Sequence, residues 1–184
     1  MTSADIQAFI ATVDAVDDWA NEPRNQFLLS RVGILWMTYE KEDEIGKYVP
    51  SGLKDLVNPC ARLVQKARIL GKERELAILV AKEGFTLNEW AYTCDKTIKA
   101  YRLANIRSGA VQAVREYSKG LYDDEIKGMS NFTQNVRFAT MQSIIQAHKA
   151  PLRDVLEFKK NRQQFQEKLE QHKFKFFGYP INRY

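Results

Sequence analysis

TLNEWAYTCDKTIKAYRLANIR, residues 86–107, steps its apolar side chains at the spacing of a helix. Leu87, Trp90, Ala91, Cys94, Ile98, Tyr101 and Asn105 recur every three or four positions and so share one face. The opening Thr86-Leu-Asn-Glu89 is a capping box, in which the Thr hydroxyl and the Glu carboxylate each satisfy an orphan backbone N–H. The segment therefore predicts an amphipathic helix over about 86–107, with a named start and a buried side.

The flanking sequence repeats this grammar. Gly84 stops a short helix from Lys72 to Glu83, with Leu76, Leu79 and Val80 inward. Gly71 ends another that opens at Asn58-Pro59, Asn58 serving as cap and Pro59 as first helical residue. Further upstream, Ser3 is placed to cap a first helix whose Ile6, Phe9, Ile10, Val13 and Val16 fall together. Pro23 suits the first turn of a helix over about 23–41, and EKEDEIGKYVPSG reads as a polar connector.

Downstream, Val111, Val114 and Tyr117 mark a helix ended by Gly120, and a helix of about 130–149 follows an acidic loop. Pro151 then starts a long last helix to about Lys173, with Leu152, Val155, Leu156, Phe165 and Leu169 inward. No stretch alternates apolar and polar residues for long enough to predict a strand. The expected fold is all-α: one compact domain over 1–184 with seven to nine helices, a long C-terminal helix and an extended aromatic tail at 177–184.

A chain of this length buries enough surface to need no disulfide or metal. Cys60 and Cys94 lie in two helical segments without CxxC or zinc-ligand spacing, which predicts buried small side chains in a reducing, cytoplasmic setting. The acidic N-terminus lacks the basic-then-apolar order of a secretory signal. The most apolar run, FLLSRVGILWMTY at 27–39, contains Arg31 and falls short of the roughly 20 residues that span a bilayer.

Catalytic groups are sparse. The chain has two histidines, with His148 on an apolar face near a helix C-terminus and His172 in a charged stretch. HExxH, Walker A and GxGxxG patterns are absent from the sequence, and the carboxylate clusters lack the spacing of a calcium loop. The sequence thus predicts no enzyme, no cofactor and no metal.

Charge carries the functional signal. The net +5 divides unevenly: residues 1–58 hold 10 acidic and 5 basic side chains, residues 59–184 hold 13 and 23. Lys96, Lys99 and Arg102 recur every three residues, Tyr92 precedes Lys96 by one turn, and Arg62 and Lys66 form an i,i+4 pair followed by Arg68, Lys72 and Arg74. Such a stripe neutralises phosphates, and an exposed ring beside it stacks on a base. An ordinary solvated face gives the same pattern.

The tail places Phe174, Phe176, Phe177, Tyr179 and Tyr184 among Lys173, Lys175 and Arg183. Such a segment either folds back on its own domain or docks on a neighbouring copy. The acidic and basic parts of two copies also complement each other head to tail. The sequence therefore predicts a nucleic-acid partner, RNA or single strands, in a packaging or coat-like role, with self-association and no membrane. The alternative is a helical protein–protein interaction module.

Overall fold

The computed structural model describes residues 1–25, 58–105 and 148–171, together with Gly128 and Ile145. Every regular element among the described residues is helical, and the protein is all-α. Six helices follow one another: α1 (Ser3–Asn21), α2 (Pro59–Ile69), α3 (Glu73–Ala81), α4 (Leu87–Asn105), α5 (Leu152–Lys160) and α6 (Arg162–Gln171). The expected helix at 111–120 and the tail at 177–184 lie outside the described residues, as do most of the expected helices at 23–41 and 130–149. Residues 23–25 form a turn, so Pro23 does not open a helix there.

Helix α4 is the centre of the packing. Its Leu87, Trp90, Ala91, Cys94, Ile98 and Tyr101 are buried, as the periodicity predicts. Against them lie Ile6, Phe9, Ile10, Val13 and Val16 of α1, Leu63 and Val64 of α2, and Leu76 and Val80 of α3. Val155 and Phe158 of α5 and Phe165 of α6 complete a single core. Five of its rings form a connected chain: Tyr101 stands 5.3 Å from Phe165 and 5.9 Å from Phe158, and Phe9 bridges Phe165 to Trp90 at 6.4 and 6.3 Å. The Tyr101–Phe158 pair is edge-to-face, an arrangement that adds attraction to the apolar burial.

Two indole N–H groups of this core find partners on other helices. Trp90 Nε1 donates to Thr12 Oγ1 at 2.8 Å, and that hydroxyl donates back to Phe9 O at 2.7 Å. Trp19 Nε1 reaches the Glu75 carboxylate at 3.0 Å, tying α1 to α3. The Trp19 bond above all, and then the Lys72 ammonium, hold the Glu75 carboxyl below its ordinary range.

The helix ends follow sequence chemistry with three corrections. Thr86 and Glu89 form the expected capping box, the Glu89 N–H donating to Thr86 Oγ1 and the Thr86 N–H to Glu89 Oε2. Gly71 and Gly84 carry positive φ of 66° and 80°, and each closes a Schellman turn. In these turns Lys72 N–H bonds Ala67 O, and Phe85 N–H bonds Val80 O.

The cap of α1, however, is Thr2 rather than Ser3, with Asp5 completing a capping box. At α2, Asn58 makes no side-chain cap hydrogen bond, and its role is taken from another helix, as described below. The single long C-terminal helix is two helices broken at Asn161, which is buried. The Asn161 amide donates to Glu157 O one turn back and to Ser3 Oγ in α1, so it pins the break to the first helix. With that break, α5 buries Asp154, Val155 and Phe158, while Leu152 and Leu156, expected inward, are exposed. His148 is exposed as well, not packed on an apolar face.

Candidate functional site

The joint between α2 and α4 begins with an adjacency in the sequence. Cys94 and Asp95 are neighbours on α4, and both meet the first turn of α2. Cys94 is bonded to Cys60 in a disulfide whose Cα atoms are 6.1 Å apart, inside the range that disulfides span. Asp95 accepts from the Cys60 N–H at 2.9 Å and from the Ala61 N–H at 3.1 Å. Those are two of the orphan donors at the α2 N-terminus, and a carboxylate there also meets the positive end of the helix dipole. Asp95 is thus the cap that Asn58 is not.

Both cysteines are fully buried, as expected, but they are paired, which the sequence argument did not foresee. Thirty-four residues separate them along the chain, and only the packing of α2 on α4 brings them together. The inference of a reducing setting loses its support, since such bonds persist in oxidising compartments. The Cys60 and Cys94 sulfurs and an Asp95 oxygen lie within 4.8 Å of one another. With both sulfurs committed to the disulfide, the trio offers no thiolate to a metal.

Beside this joint runs an open groove of about 540 Å³, large enough for a small ligand or part of a chain. Its α4 wall is Asn88, Tyr92, Lys96 and Lys99, with Ala91 and Asp95 deeper. Helix α2 contributes Ala61, Val64, Gln65 and Arg68. Lys149, Ala150, Pro151 and Asp154 close the far side at the entry to α5.

Tyr92 is 61% exposed, an unusual position for so large a ring. The Lys96 ammonium lies 4.4 Å from its ring centre, a cation–π contact, and 3.4 Å from Asp154 Oδ2. Hydrogen bonding to Tyr92 and the Asp154 charge raise the Lys96 pKa, so this side chain is a cation throughout the neutral range. Arg68 is held at the rim by Glu73 at 2.7 Å and Asn88 at 3.4 Å. Neither Lys99 nor Lys149 has an ion-pair partner among the described residues. The groove therefore presents a ring and four cations, Arg68, Lys96, Lys99 and Lys149, above a floor of buried carboxylates.

Of the stripe read from the sequence, Tyr92, Lys96 and Lys99 come together here. Arg62 and Lys66 do not line the groove; both are half-buried on α2, and Arg62 donates to Gln65 at 2.6 Å. Arg102 is a correction. It is 8% exposed, and burial pushes its pKa down to about 10 against the opposing pull of Asp95. Steps of three residues fall short of a helical turn by about 60° each, so the run from Lys96 to Arg102 winds off the solvent side. Arg102 ends on the flank of α4 that carries Asp95 and serves as its counter-charge.

Arg68, which follows the Arg62–Lys66 pair in the same basic run, does line the groove, whereas Asn88 and Lys149 had no place in that stripe. Asn88 stands one turn before Tyr92 and was legible on the helical wheel; Lys149 precedes Pro151 in a connection with no periodic signal. The proposed assembly residues Phe174, Phe176, Phe177, Tyr179 and Tyr184 lie outside the described residues.

Among the described residues no helix is long and apolar enough to cross a membrane. No family model matches the chain, and neither a characterised protein nor a solved structure is similar to it.

Proposed function

We propose that this is a non-enzymatic helical protein that associates with single-stranded nucleic acid, RNA in particular, and assembles into multimers. The gathering of Tyr92 with Arg68, Lys96, Lys99 and Lys149 along one groove supports this reading most. Ammonium and guanidinium groups at the rim neutralise phosphates, while the exposed ring stacks on a base whatever its identity. Self-association is assigned to the aromatic segment from Phe174 to Tyr184.

A gel-shift titration with a short RNA at about 50 and about 200 mM salt tests the reading. Three or four phosphate contacts to a single strand weaken binding roughly 20- to 50-fold over that interval. Combining Lys99→Glu with Lys149→Glu abolishes the shift, while Arg74→Glu, on an exposed residue outside the groove, leaves it in place. No shift at low salt rejects the proposal.

The second reading, a protein–protein interaction module, draws on exposed apolar side chains: Leu152 and Leu156 one turn apart on α5, and Ile69, Leu70 and Ile78 on the α2–α3 side. It predicts a preparation free of nucleic acid, with low absorbance at 260 relative to 280 nm, and a defined protein partner.

A further inference from the structure

One groove residue has no part in phosphate binding. Asp154, in the first turn of α5, is 3% exposed, and phosphate is repelled by its charge. Its Oδ1 lies 3.2 Å from the α-ammonium of Met1. Among the described residues its buried Oδ2 has no hydrogen-bond partner beyond the Lys96 ammonium at 3.4 Å.

That same ammonium covers the Tyr92 ring. A single cation on a flexible four-carbon stem therefore shields both an aromatic face and a carboxylate oxygen with spare hydrogen-bonding capacity. A flat guest with an N–H donor on its edge matches both places at once, its ring on Tyr92 and its donor at Asp154 Oδ2. Lys96 then swings outward, to the rim where Lys99 and Lys149 already face the groove.

Bases differ in their fitness for this exchange. Cytosine offers the N4 amino group and adenine the N6 amino group, and an aspartate accepting from cytosine N4 is a general mode of base reading. Uracil offers N3–H only between two carbonyl oxygens, whose lone pairs oppose a carboxylate. Resting on the nucleic-acid reading above, we propose that the groove selects amino-bearing bases, taking cytosine over uracil through Asp154 and Tyr92 while Lys96 moves to the strand's phosphate.

The test uses the full chain and fluorescein-labelled oligo(rC) and oligo(rU) of equal length, read by anisotropy at neutral pH. Oligo(rC) binds roughly tenfold tighter, the scale of one hydrogen bond to a charged acceptor. Asp154→Asn brings the ratio to about one, because a carboxamide donates to uracil O4 as readily as it accepts from cytosine N4. Tyr92→Leu, on an exposed side chain that the fold does not need, also erases the preference. Lys96→Met lowers the slope of log affinity against log salt by about 0.7, the share of one phosphate contact.

Equal, salt-dependent binding of the two oligomers by the unmodified protein overturns base selection and leaves the nucleic-acid reading standing. A preference that survives Asp154→Asn or Tyr92→Leu overturns the assignment of base selection to those two residues. An unchanged salt slope in Lys96→Met overturns the exchange. If neither oligomer binds at low salt, the groove is not a nucleic-acid site at all.

Discussion

Asp95 is a carboxylate that water scarcely reaches, and its oxygens accept from the Cys60 and Ala61 N–H groups. Burial raises its pKa from 3.8 to about 6, against the two backbone bonds and the nearby Lys99 and Arg102 charges. Between those values the folded chain holds a proton that the unfolded chain has released. Stability linked to this group is therefore complete below pH 3.8 and declines as pH rises towards 6. Asp95→Asn removes the titration. In urea unfolding, the stability of the native chain relative to this variant should fall by about 3 kcal/mol across the window. A gap that widens with rising pH would show that the α2 N–H bonds outweigh desolvation.

Local chemistry governs the helix ends, and Gly84 isolates one term of it. Its φ of 80° lies in the left-handed region, and a Cβ placed there meets nothing within 4 Å. Gly84→Ala therefore costs backbone strain without a clash, about 1–2 kcal/mol. Urea midpoints of the two proteins measure it, with an unchanged m-value showing that the denatured state is the same. The α5–α6 break is of another kind. Nothing in LRDVLEFKKNRQQFQEKLE forbids a continuous helix, and Asn161 turns the chain because Ser3 of α1 is there to accept from its amide. Sequence reading caught the stops that carry their own cause, Gly71 and Gly84, and missed the one whose cause lies 158 residues away.

At the scale of the molecule, the Cys60–Cys94 bond joins the two helices that build the groove. Protein denatured without reductant should yield no free thiol in a thiol assay, and two per chain after reduction. A loop of 34 residues, once opened, gives the unfolded chain entropy equivalent to about 3–4 kcal/mol, so reduction lowers the urea midpoint accordingly. The groove depends on the same assembly, since Arg68, Lys96 and Lys149 come from α2, α4 and the entry to α5. No window along the chain contains all three.

Apolar spacing and capping residues act over a turn or two of the same segment, so the helical class, the ends of α2 and α3 and the start of α4 were legible along the chain. Thr86, Glu89, Gly71 and Gly84 behave as their chemistry dictates. The tertiary structure alone decided which polar side chains stay in water. Arg102 and Asp154 look like surface residues on paper but are buried, while Leu152 and Leu156 look like core but are exposed. The reason is geometric: exposure is fixed by which helix lies opposite, and that partner comes from a distant part of the chain.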